Sequence, residues 1–186
     1  MVTVSRRGIT MGVVAVVLVG LGVGLVWFQP WKLFVDETVR EDLPTAAAPT
    51  ASAASPQRPA ASVAPTPAAP RTVASGELIS HEHTTSGTVK LVRLPDGTHT
   101  LRLENLDTSN GPDLRVWLTD APVKQGEAGW HVFDDGRYLS LGKLKGNKGD
   151  QNYALPEGTD LTKYTSVSIW CDRFDVSFGA AELTRI

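Results

Sequence analysis

The sequence predicts an all-β domain, an antiparallel β-sandwich or barrel, preceded by one transmembrane helix and a disordered Ala/Pro linker. Three observations predict it. Residues 9–28 are a run of 20 without a charged side chain. Residues 44–75 hold 12 Ala and 7 Pro, and their only charged side chains are Arg58 and Arg71. Residues 76–186 alternate apolar and polar side chains with period two between frequent turn signals. The organisation that follows is a cytoplasmic stub (1–8), a transmembrane helix (9–28), a juxtamembrane segment with its linker (29–75) and a β domain (76–186).

The helix comes first. At ~1.5 Å per residue, the run from Ile9 to Phe28 is ~30 Å long, the thickness of the hydrocarbon core. Trp27, Phe28 and Trp31 cluster at its C-terminal end, where an aromatic belt sits. Arg6 and Arg7 precede it, whereas Lys32 stands with Asp36, Glu37, Glu41 and Asp42 on the other side. That balance predicts a signal anchor with its N-terminus inside the cell membrane and its C-terminal domain outside the cytoplasm. No small-x-small site follows Phe28, which argues against cleavage; the first Ala-x-Ala begins at Ala46. Ser5-Arg6-Arg7 has the look of a twin-arginine signal, but topogenic charge explains the same two arginines. Gly20 and Gly24 form a small-x-x-x-small pair of the kind that can join two spans.

The linker has almost no apolar surface to bury and recurrent prolines that remove backbone donors. It is therefore expected to be extended, with an upper reach of ~100 Å at ~3.1 Å per residue. A spacer of that kind lifts a domain off a membrane, and its Ser and Thr are open to glycosylation.

In the β domain, Leu101-Arg102-Leu103 and Leu114 to Leu118 alternate with period two. Val167, Ile169 and Cys171 share one strand face, and Ser166, Ser168 and Trp170 the other. Phe174, Val176 and Phe178 follow on the opposite parity, so a turn is expected at Asp172-Arg173. Pro95-Asp96-Gly97, Asn110 to Asp113, Asp135-Gly136 and Pro156 to Gly158 are further turn signals. Seven to nine strands are expected.

Charge and cysteine narrow the function. With 18 Lys and Arg against 20 Asp and Glu, the net charge is -2, so no bulk positive charge draws nucleic acid. One cysteine excludes an intrachain disulfide, a Cys-x-x-Cys redox pair, a haem attachment motif, and Cys-rich zinc or iron–sulfur sites. No Ser-His-Asp or paired-carboxylate arrangement stands out at informative spacing, which argues against hydrolysis.

Three segments carry a likeness: Asn110–Leu118 (NGPDLRVWL), Leu141–Pro156 (LGKLKGNKGDQNYALP) and Val167–Ala181 (VSIWCDRFDVSFGAA). In this order they resemble the DM-thirteen domain family, often labelled an electron-transfer domain. The resemblance implies a β-rich extracytoplasmic module of bacterial envelope and animal extracellular proteins. It also implies that the cysteine of the Ile-Trp-Cys segment, Cys171 here, is redox-active.

The residues themselves leave Cys171 open. Its face, shared with Val167 and Ile169, favours burial and an inert thiol, while its place beside a turn favours access. A lone cysteine works through a sulfenic acid, a mixed disulfide with a partner, or a metal. His81 and His83, two apart on one strand face, would complete with Cys171 the equatorial set of a mononuclear copper site. The only methionines are Met1 and Met11, so that site would have no axial methionine. The bland alternative for the two histidines is a solvated strand. The sequence names no cofactor.

Trp117, Trp130 and Trp170 are candidates for a platform that binds sugar rings or a cofactor. Trp117 and Trp170 fall opposite their strands' aliphatic residues, and packing under loops is the alternative. Gly142 to Gly149 lacks the phosphate-loop spacing and reads as a loop before the Tyr153 strand, with anion binding as the alternative. Two functions follow. One is a redox module acting through Cys171. The other is a non-catalytic binding module for a cell-wall polymer or envelope protein, using Trp117 and Trp170.

Overall fold

The apolar run folds as one helix, α1 (Arg6–Phe28), long and apolar enough to cross a membrane. Its middle stands free of the β domain: Val16, Leu18, Val19 and Val26 are all exposed. A 3-10 turn over Pro30–Phe34 ends it. The computed structural model describes residues 6–44 and 69–186. Most of the expected disordered linker, 45–68, lies outside the described residues.

Eleven strands follow in chain order: β1 (Thr38–Arg40), β2 (Arg71–Glu77), β3 (Ile79–Ser80), β4 (Ser86–Arg93), β5 (His99–Asp107), β6 (Leu114–Thr119), β7 (Tyr138–Lys143), β8 (Lys148–Ala154), β9 (Ser166–Cys171), β10 (Val176–Glu182) and β11 (Thr184–Arg185). They form two sheets that do not close into a barrel. One has the order β1-β8-β5-β4-β2-β11, the other β3-β10-β9-β6-β7.

The two-residue periodicity builds the core directly. Val89, Leu91, Leu101, Leu103 and Tyr153 point inward from the first sheet; Leu114, Val116, Leu118, Val167, Ile169 and Phe178 pack there from the second. The change of parity between β9 and β10 is absorbed at Asp172–Asp175, with Asp175 at φ 51 and Val176 paired with Cys171.

The fold departs from expectation in two respects: the described residues form eleven strands rather than seven to nine, and one pairing is parallel. The domain is a mixed β structure rather than a purely antiparallel one, because β1 runs parallel to β8, with Thr38 opposite Lys148 and Arg40 opposite Asp150. β1 comes from the juxtamembrane segment, and β2 begins at Arg71, inside the Ala/Pro-rich stretch. A three-residue strand has no alternation to read. Its pairing is dictated by β8, where Gly149 stands at φ +94 and a Cβ would collide with the Val39 carbonyl.

Leu101 is fully buried at the centre of the first sheet. Leu101→Ala is expected to lower the unfolding free energy by about 2–5 kcal/mol in a urea titration. Glu157→Ala, at an exposed turn, should change it by no more than about 0.5 kcal/mol.

Candidate functional site

Cys171 is the last residue of β9, between Val176 of β10 and Leu114 of β6. Its side chain joins the inner core with Val167 and Ile169, and it is fully buried. Burial pushes the thiol pKa up. Backbone N–H groups of Arg173, Phe174 and Asp113 pull the other way, while the Glu82 carboxylate adds to the rise. The thiol is thus protonated at neutral pH, and the Phe174 N–H beside it is given to the Cys171 carbonyl at 3.2 Å.

The turn beside it is held on two sides. The Arg115 guanidinium lies 3.1 Å from the Asp172 carboxylate and 3.2 Å from that of Asp113. Phe174, 45% exposed, stacks on Phe28 at the end of α1 with ring centroids 5.9 Å apart. Arg173 lies over the Trp27 ring at 4.8 Å and donates to the Trp27 carbonyl.

The histidines do not join the cysteine. β3 ends at Ser80 and the chain bends through 81–83, so His81 and His83 share no strand face. The His81 ring is buried against Phe133, with Nδ1 2.8 Å from Ser177 Oγ and Nε2 3.0 Å from the Lys124 carbonyl. Only a hydrogen on Nε2 satisfies that carbonyl, so Nδ1 accepts from Ser177. Both ring nitrogens are therefore occupied. His83 lies on the Phe178 ring at 3.9 Å. Among the described residues, no three His, Cys, Asp or Glu side chains are grouped to hold a metal ion.

The tryptophan pair is assembled but covered. The Trp117 and Trp170 rings stack 4.9 Å apart, with Tyr138 4.0 Å over Trp117 and Phe133 edge-on to Trp170. Trp170 is 0% and Trp117 3% exposed. The platform expected on an open face is closed because Ala121, Val123, Val132 and Phe133 pack over that side of the second sheet. Trp130 instead packs partly buried against the inner core. The indole Nε1 atoms of Trp117, Trp130 and Trp170 are buried without a hydrogen-bond partner.

Sequence reasoning missed two polar networks. In one, Ser168 donates to Ser177, which sits against His81; the alternation of Ser166, Ser168 and Trp170 was its only signal. In the other, buried Gln151 organises the glycine-rich loop. Its Oε1 accepts from Tyr153 Oη at 2.8 Å and from the backbone N–H groups of Lys145 and Gly146. Those two N–H groups are thus spent within the loop and are not free for an anion.

Desolvation holds the His81 pKa below its ordinary 6.5. The unfolded chain therefore takes up a proton as pH falls below 6.5 while the folded chain resists it, and stability falls with it. His81→Gln should flatten the slope of unfolding free energy against pH on the acid side of 6.5, measured by denaturant titration across that range.

The comparisons with known proteins come down to one match. Residues 77–183, more than half of the chain, match the family model described as Electron transfer DM13. No curated protein matches the chain, and no solved structure does. The matched span contains Cys171, both polar networks and every strand from β3 to β10, and the chain belongs to the Electron transfer DM13 family.

Proposed function

We propose that the protein is a single-pass membrane protein whose β domain lies outside the cytoplasm and relays electrons through Cys171. The anchor rests on the Thr10–Phe28 part of α1, which carries no charged side chain, and on the Arg6-Arg7 pair at the start of the helix. The electron-transfer class rests on the family. The observation that carries the role of Cys171 is its place at the end of β9 beside a turn whose Phe174 is 45% exposed, with backbone N–H groups near that turn opposing the rise in its pKa. Such donors favour a sulfur anion once water reaches it.

One thiol is enough for a relay between two partners. The Cys171 thiolate attacks the disulfide of an envelope protein, forming a mixed disulfide and releasing that partner's first thiolate. A thiolate of a second, dithiol partner then attacks the Cys171 sulfur and releases the first partner fully reduced. The second partner's other thiolate closes its own disulfide and expels the Cys171 thiolate. Two electrons and two protons pass from the second partner to the first, and Cys171 returns unchanged. Opening the Asp172–Asp175 turn gives the disulfide access.

The test is mixed-disulfide formation with a small aromatic disulfide on the folded full chain in detergent. Cys171 should react slowly at neutral pH, about tenfold faster per pH unit because the thiolate fraction rises that way below the pKa, and Cys171→Ser should not react. Reaction only after denaturation would defeat this role.

Full burial of the thiol supports a second reading, a non-catalytic binding module for a wall polymer or envelope protein. Its exposed contact is Tyr138, 46% exposed and stacked on Trp117. On this reading Tyr138→Ala reduces pull-down of the chain by wall fragments at least fivefold; unchanged capture counts against it.

A further inference from the structure

The outer edge of β8 is shaped to receive a strand. Gly149 and Gly146 leave room for the carbonyls of Val39 and Glu37. Asn147, 1% exposed, clamps the incoming segment at one end: its Oδ1 accepts from the Glu37 N–H at 2.7 Å and its Nδ2 donates to Asp36 at 2.8 Å. Lys148 N–H donates to the Glu37 carbonyl and Glu41 N–H to the Asp150 carbonyl. At the other end Lys145 Nζ reaches Glu41 at 2.7 Å, Arg102 donates to the Glu41 carbonyl at 2.9 Å, and Asn152 donates to Glu41 and Asp42. Four acidic residues, Asp36, Glu37, Glu41 and Asp42, thus lie along an edge that presents Lys145, Lys148 and Arg102.

The occupant lies outside the matched family region, and only three of its residues are strand. Its ion pairs stand near the surface, where salt screens them. Chain connectivity gives it its advantage, since a tethered segment returns at high effective concentration.

We propose that the β8 edge is a receptor site for an extended acidic strand, filled in cis by Asp36–Asp42 as a releasable clasp that sets how far the domain stands from the membrane. This rests on the membrane-anchored reading above. With the clasp closed, seven residues (29–35) join α1 to the domain, a reach of at most about 25 Å; with it open, 42 residues (29–70) do so, at most about 140 Å. An extended acidic segment of another protein fits the same edge by β-augmentation and would open the clasp by competition.

The full chain, reconstituted in vesicles and carrying a donor dye on Lys143→Cys, reports the distance by energy transfer to acceptor-labelled headgroups. Lys143 is exposed and close to Asp113, and every labelled chain also carries Cys171→Ser, so the dye has a single attachment point. Glu41→Pro removes both the N–H given to Asp150 and the carboxylate held by Lys145, in a segment outside the matched domain. It should lower transfer at least threefold while near-ultraviolet circular dichroism of the packed tryptophans is unchanged. The double change Asp36→Lys and Glu41→Lys keeps every backbone donor and should have the same effect. Equal transfer in the starting chain and both variants overturns the clasp. A dimer in the starting chain would assign the strand to a second copy and overturn the cis placement. Failure to float with vesicles would instead overturn the anchor itself, so the two readings fail separately.

Discussion

Burial of β9 on both faces is the constraint on which the rest of the domain depends. Every residue from Ser166 to Cys171 is buried. Backbone pairing on both edges, to β6 and β10, satisfies its polar groups. One face then supplies Val167, Ile169 and Cys171 to the sandwich core. The other must be closed by something that is not a sheet, and the segment around Ala121 to Phe133 does this over Trp170. His81 belongs to the same closure, because its Nε2 holds the Lys124 carbonyl of that segment. The chemistry of Cys171 is set here as well. A thiol at the end of a doubly covered strand is desolvated while the neighbouring turn stays closed.

Two kinds of information lie in this sequence with unequal clarity. Alternation marked the inward residues of β5, β6 and β9, since sheet packing repeats every second residue. It also separated Trp117 and Trp170 from the aliphatic face correctly. It could not show that the opposite face has a cover, because a covering loop leaves no period in the strand beneath it. The His81 and His83 spacing misled for a related reason. Two-residue spacing places side chains together only while the strand continues, and the strand ends at Ser80. β1 was illegible in its own three residues; the signal lay far downstream in Gly146, Asn147 and Gly149. For Cys171, position was legible and environment was not, since burial depends on Leu114, Val176 and the following turn together.

The polar interior follows the rule that buried donors and acceptors are paired, with the indoles as exceptions. Gln151 satisfies a loop, a phenol and its own amide at once, which fixes Gly142–Gly149 against β8. Desolvation pushes the pKa of the Tyr153 phenol in that network well above its ordinary value, so it stays a donor at all ordinary pH. The unpaired Nε1 atoms of Trp117 and Trp170 are on the other side of the second sheet, in the layer closed by hydrophobic packing. On that same face Ser166 donates to the Ala121 carbonyl and Ser168 to Ser177, so hydrogen bonds and hydrophobic packing close it together.

The lengths of the outermost strands bear on how copies behave when crowded in a plane. β1 has three residues, and β3 and β11 have two each. A strand at the border of a sheet offers free N–H and C=O groups to any neighbour, and a long flat border invites ladder growth into aggregates. Three of the four borders here are too short to template such growth. The fourth, β7, is interrupted near its end by Gly142 at φ +115 and closes on Lys143. On the membrane-anchored reading proposed above, tethering raises local concentration, and short borders limit strand pairing between neighbouring copies.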